Sequence, residues 1–172
     1  MSSSSTIPPH IITQDLTVRP LIDGDIDAAT AIIADAFREA DGSLPERYSP
    51  PVIADRLAAS VTAHRPSRSR FLVVEHLGKL AALGGYSKEA WSPCAWSLYM
   101  AAVRPDIQGR GLGRVLIQRR LNAIQQATIG TGMVLVSSRR PSSFASLGFQ
   151  TLRKMPHGPT LMAWEFLGQS PA

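Results

Sequence analysis

After Val103, and ahead of a helical run that starts near Leu112, the chain reads Gln108-Gly109-Arg110-Gly111-Leu112-Gly113. Glycines at alternate positions leave successive backbone N–H groups unobstructed, and at a helix N-terminus those groups form the positive end of the helix dipole. Such a loop suits a phosphate or pyrophosphate. A P-loop would close on Gly-Lys-Ser/Thr, but Gly113 is followed by Arg114 and Val115. A dinucleotide fingerprint fails as well, since its third glycine would fall on Arg114 or Leu116. A flexible turn punctuated by glycine is the plain alternative.

Other reactive side chains are sparse. Cys94 is the single cysteine, so no internal disulfide can form, and beside Pro93 it has no recognisable base; a packing role is expected. His10, His64 and His76 show no metal-ligand spacing with Cys94, and no metal is expected. A formal net charge of +5 and a pI near 10.0 favour an anionic partner. The arginines are scattered as Arg65, Arg68, Arg70, Arg104, Arg110, Arg114, Arg119, Arg120, Arg139 and Arg140, without the basic tail that would favour nucleic acid.

The elements that must position the loop follow from periodicity. Leu16 to Arg19 alternates as a short strand, and Asp23 or Asp25 caps a helix with Ile26, Ala29, Ile32, Ile33, Ala36 and Phe37 on one face. After the loop Asp41 to Pro51, Ile53, Leu57 and Val61 mark a second helix. Phe71 to Glu75 and Leu80 to Tyr86 form a hairpin about Gly78-Lys79. Trp96 to Val103 is a strand stopped by Pro105, followed by the glycine loop and a helix to about Ala127. Arg114, Gln118, Asn122 and Gln125 form its polar stripe, and Leu112, Val115, Leu116, Ala123, Ile124 and Ala127 its apolar face. The apolar run Met133 to Val136 reads as a central strand. Pro141 opens a short helix to Leu147, and Leu161 to Phe166 is the final strand after the turn Pro156-His157-Gly158-Pro159.

A chain of 172 residues with 44% hydrophobic and 18% charged residues supports one globular domain. We expect a disordered leader over 1–12, the domain over 13–168 and a tail over 169–172. The N-terminus lacks the charged and apolar regions of a signal peptide, and no stretch approaches the roughly 20 apolar residues of a membrane span. The cytoplasm is the expected location, with no membrane partner.

Ala101-Ala102-Val103-Arg104-Pro105-Asp106-Ile107 followed by Gln108 to Gly113 resembles the V-x-P-x-x-Q/R-x-x-G-x-G/A motif of the GCN5-related N-acetyltransferase (GNAT) superfamily. Phe144-Ala145-Ser146-Leu147-Gly148-Phe149 resembles that family's F/Y-x-x-x-G-F ending. The resemblance implies an α/β (α+β) fold: a twisted mixed sheet, mostly antiparallel, splayed at a central parallel pair and flanked by helices. It implies acetyl-CoA as acyl donor, with Ala101, Ala102 and Val103 along the pantetheine arm and Gln108, Gly109, Arg110, Gly111, Leu112 and Gly113 on the pyrophosphate. Ser137 stands where a cofactor-contacting asparagine is common, and Phe144 where many members carry a proton-donating tyrosine. Homodimers are common in the family, so one is an expectation here too.

The implied reaction is direct attack of an amine on the thioester. A thiolate with a pKa near ~8.5 leaves with little help, and a backbone N–H aimed at the carbonyl supplies a few kcal/mol. That makes the backbone around Ala101 catalytic. Glu89, His157 and Tyr99 are the candidate general bases, with water relays besides. Glu39, Asp41 and Glu46 could draw a cationic amine, and Trp91, Trp96 and Tyr99 either shape its pocket or fill the core. The favoured acceptor is a small-molecule amine. A protein amine, a non-catalytic acyl-CoA sensor and a basic nucleic-acid-binding domain are the alternatives.

Overall fold

Residues 15–62 and 69–170 are described by a computed structural model. The expected leader, His10, His64, Arg65 and Arg68 lie outside the described residues. Seven strands form one sheet: β1 (Leu16–Pro20), β2 (Ser69–His76), β3 (Lys79–Lys88), β4 (Ala95–Val103), β5 (Thr131–Ser138), β6 (Gln150–Lys154) and β7 (Thr160–Leu167). Their spatial order is β1-β2-β3-β4-β5-β7-β6, and every neighbouring pair is antiparallel except β4 and β5. The expected mixed sheet with a parallel central pair is therefore present.

Helix α3 (Leu112–Gln126) makes the crossover between the parallel strands, as such a pair requires. It covers one face with Ile117, Leu121 and Ile124 against Trp96, Leu98, Val134 and Val136, and with Leu112 and Leu116 against Val74, Ala81 and Ala82. Helices α1 (Ile26–Ala36) and α2 (Pro50–Val61) cover the other face over β2 to β4, burying Ile33, Ile53 and Leu57 on Phe71, Val73, Leu83 and Met100. The short α4 (Pro141–Ala145) adds Phe144 to the α3 side.

Three features depart from the sequence reading. Strand β6 was not anticipated, because Gln150–Lys154 is an edge strand whose residues are all exposed, so it carries no alternating pattern. Gln169 was assigned to the tail but bridges to Ile129, and its amide donates to the Thr128 carbonyl at 2.7 Å. Asp25 does not cap α1 with its side chain; it accepts from the Ile22 amide and from Arg19.

Arg19 joins three elements, with Nη1 at 2.6 Å from Asp25 and Nη2 at 2.6 Å from Glu75. The Arg19 hydrogen bonds pull the Asp25 pKa below its ordinary 3.8, against partial desolvation and with help from the Ile22 amide. A depressed folded-state pKa contributes stability that is complete above the unfolded value and lost as pH falls through the folded one. Stability should accordingly hold down to about pH 5 and decline below about pH 4. Asp25→Asn is expected to cost about 1–2 kcal/mol at neutral pH and to flatten that acid limb. Urea unfolding across the pH range checks this; an unchanged limb in the variant would move the acid sensitivity elsewhere.

Candidate functional site

The two central strands part company midway. Register between β4 and β5 runs from Ala95↔Met133 to Leu98↔Val136 and ends there. On its other side β4 pairs with β3 through Gly85↔Tyr99 and resumes at Leu83↔Ala102, so β4 carries one extra residue. Met100 and Ala101 thus have a partner in neither ladder. Met100 takes φ +46, a left-handed conformation uncommon outside glycine, and its side chain joins Tyr99 on the α1/α2 face. The bulge bends β4 away from β5 and leaves the exposed Ala101 at the opening.

The glycine loop lies directly beyond this strand. Gln108 donates from Nε2 to the Val103 carbonyl at 3.0 Å, tying loop to strand end. Arg104 reaches Asp106 at 2.6 Å and the Leu80 carbonyl at 3.1 Å, so it supports the turn. Gly109 and Gly111 take φ +78 and +85, which glycine alone adopts freely. Helix α3 has no side-chain cap, and the amides of Gly109, Arg110, Gly111, Leu112 and Gly113 donate to no acceptor among the described residues. Arg110 has no carboxylate within ion-pair distance there either, whereas Arg114 donates to Ser146, just past α4, at 3.3 Å. Five free amides, a helix N-terminus and an unpaired guanidinium make an anion cradle.

The remaining candidates separate by position. Ser137 is exposed on β5, one residue past the last paired position, so it borders the opening. Ala102 is buried in the α1/α2 core and Val103 packs near α3. Phe144 is 7% exposed and meets the Phe149 ring edge-on at 5.4 Å, a filled aromatic position without a hydroxyl. Glu89 accepts a short hydrogen bond from Ser97, four residues before Ala101 or about 13 Å of strand. Direct proton transfer to Glu89 from the opening is too long a reach, and a water chain would be needed. His157 is exposed in the β6–β7 turn with φ +56, beside Thr160, which pairs with Ser138 at the splayed end of β5.

Tyr99 belongs to the core. Its ring crosses Gly85 and meets Phe71 edge-on at 5.4 Å, and its hydroxyl is buried. Burial raises its pKa, while Ser69, Arg120 and Arg56 act in the opposite direction. Trp96 is also core and donates to Thr128 at 3.0 Å, but Trp91 is 67% exposed, so the aromatic trio does not gather into a pocket. Nor do the acidic residues act together: Glu39 pairs with Arg139 at 3.6 Å, Asp41 accepts from the Ser43 amide, and Glu46 is exposed. Cys94 is a free thiol at the start of β4, remote from the bulge. Among the described residues no cluster could hold a metal ion, and no helix is long and apolar enough to cross a membrane.

The seven-stranded sheet is thus split at its parallel pair and carries an anion cradle directly after the bulged strand. Residues 27–149 match the acetyltransferase (GNAT) family, and the chain belongs to it. Among solved structures it is similar to yncA from Salmonella typhimurium, described with its cofactor acetyl-CoA, at 21% identity over 90% of this chain and 94% of that one, with a TM-score of 0.68. It is also similar to the PaiA N-acetyltransferase from Thermoplasma acidophilum in complex with coenzyme A, at 12% identity over 88% and 99% of the chains (TM-score 0.64). The ribosomal-protein-S18-alanine N-acetyltransferase from Escherichia coli matches at 20% identity over 91% and 96% (TM-score 0.60). No curated protein matches the sequence.

Proposed function

We propose that the protein transfers the acetyl group of acetyl-CoA to a primary amine of a small molecule. The observation that carries this reading is the run of five unpaired amides from Gly109 to Gly113, adjoining a strand whose Met100 and Ala101 pair with nothing. Those amides and Arg110 would hold the pyrophosphate, and β4 from Ala101 to Val103 and Ser137 of β5 would flank the pantetheine arm. Bound acetyl-CoA supplies an activated thioester.

The chain's own part is to bind, orient and polarise. The Ala101 backbone, released from both ladders, offers an N–H to the carbonyl oxygen as the amine adds. Such a donor is worth about 2.7–4 kcal/mol where charge develops. Water carries the amine proton away, with Glu89 and His157 as its candidate receivers. Phe144 supplies no proton, so the thiolate leaves unprotonated, as its ordinary pKa near ~8.5 permits. A small amine is favoured because, among the described residues, Glu39 is paired with Arg139, Asp41 accepts from the Ser43 amide and Glu46 is solvated, so the three do not act together on a basic peptide.

Calorimetric titration with acetyl-CoA, alongside ATP and NADH, tests the donor half. Saturable binding of acetyl-CoA alone is expected. An amine screen with thiol detection then tests turnover; binding with no product from any amine would favour an acyl-CoA sensor, the reading that the absent hydroxyl at Phe144 supports.

A further inference from the structure

Among the described residues Arg120, which the sequence assigned to no face of α3, is buried completely, at 0% exposure. It projects from the sheet-facing side of α3, where its Nη1 donates to the Gly85 carbonyl at 3.0 Å and its Nε to the Leu116 carbonyl at 3.3 Å. Nη2 is buried with no partner, and no carboxylate among the described residues lies within ion-pair distance. A lone buried charge costs several kcal/mol, so a fold that keeps one invites a reason.

The surroundings are fitted to it. A Cβ on Gly84 would lie 2.9 Å from Nη1 and 3.0 Å from Cζ, so glycine at that position makes the room. Gly85, whose carbonyl Arg120 holds, pairs in register with Tyr99, and the register shift that creates the bulge falls between Leu83 and Gly85. The guanidinium thus sits behind β3 at the level of the bulge, one strand from the unpaired Ala101.

We propose that Arg120 is a positioning residue for acyl transfer: it braces β3 against the bulge and places an uncompensated positive charge behind the amide that faces the thioester carbonyl. This rests on the acyl-transfer reading above. Burial lowers the pKa of Arg120 to about 10, which leaves it charged at neutral pH. Among the described residues the titratable group that acts on it is Tyr99, whose own pKa burial raises. In a water-poor interior such a charge polarises a carbonyl across several ångströms.

The probe is acetyl-CoA carrying a carbon-13 carbonyl, read by isotope-edited infrared spectroscopy on the native protein, Arg120→Met and Arg120→Lys, with the exposed Arg119→Met as control. Native protein and the control are expected to show the same lowered carbonyl frequency. In Arg120→Met the band should return toward that of free acetyl-CoA, while the melting temperature is unchanged or higher because a buried charge has gone. With any amine that is turned over, kcat should fall about tenfold and the KM for acetyl-CoA should stay within about twofold. Arg120→Lys keeps the test open should the methionine variant not fold. Its buried ammonium loses its proton more readily than a guanidinium, so its band should sit near the native position at low pH and drift toward free as pH rises between about 6 and 9. The native band should stay flat over that range. A band that ignores both substitutions, or a loss of activity matched by equal loss of stability, overturns the proposal. Native protein that binds no acetyl-CoA overturns the acyl-transfer reading and this proposal with it, which separates the two failures.

Discussion

Gly113→Glu is expected to weaken acetyl-CoA binding by at least about a hundredfold in a protein that melts no lower than the native one. A Cβ at this position meets nothing closer than Val103 Cγ2 at 3.9 Å, an ordinary contact, and the residue lies in the first turn of α3. Glycine in a helix costs about 1 kcal/mol relative to good helix formers, and an acid in the first turn gains about 0.3–1 kcal/mol from the dipole. On structural grounds alone the change is therefore neutral or stabilising. Its side chain, however, enters the space in front of the free amides and brings a negative charge against phosphate, with repulsion of about 1–4 kcal/mol at contact distance. A hundredfold loss is about 2.7 kcal/mol, within that range. Gly111 cannot make the same test, since at φ +85 any side chain is strained and fold and binding would fail together. Calorimetry and a thermal melt on one sample decide it. Full affinity in Gly113→Glu would remove the phosphate from this loop.

Gly85→Ala is expected to destabilise the fold by about 2–4 kcal/mol, lowering the melting temperature by roughly 5–15 °C. The added methyl would stand 2.6 Å from two ring carbons of Tyr99 and 3.0 Å from the ring of Phe71, closer than side chains pack. Both rings are held edge to face beneath α2, so neither can give way cheaply. The small entropic gain of replacing glycine, about 0.5–1 kcal/mol, does not offset this. Tyr99 is the residue before Met100, so the displaced ring should also disturb the bulge and raise the KM for acetyl-CoA. The atoms nearest a methyl at Gly84 are the Arg120 guanidinium and a Leu116 methyl at 2.9–3.1 Å, and for Gly84→Ala a smaller loss is expected. Denaturant unfolding of the two variants ranks them; equal costs would mean that the Tyr99 ring is free to move.

Much of the architecture was legible because it follows local rules. The apolar faces of α1 and α3, the hairpin at Gly78 and the short apolar strand from Met133 to Val136 each announce themselves by period or by turn residues. Strand β6 did not, because both its faces meet solvent and a strand with no buried face has no alternation to read. The aromatic trio was ambiguous for a related reason. Trp91, Trp96 and Tyr99 look alike in sequence, and only the sheet separates the exposed Trp91 from the buried Trp96 and the partly buried Tyr99.

The phosphate-binding loop was written in the chain itself: alternate glycines ahead of a helix dictate free amides whatever packs around them, since the requirement is local backbone freedom. Tertiary structure alone decided the rest of the candidate site. The bulge at Met100 exists because β3 and β4 differ by one residue in register, and the opening exists because β4 and β5 stop pairing after Leu98↔Val136; neither count belongs to a single segment. Arg120 completes the contrast. In sequence it is one more charge on a helix rich in arginine, and it becomes a buried cation only because two glycines on a strand 35 residues away leave space and a carbonyl for it.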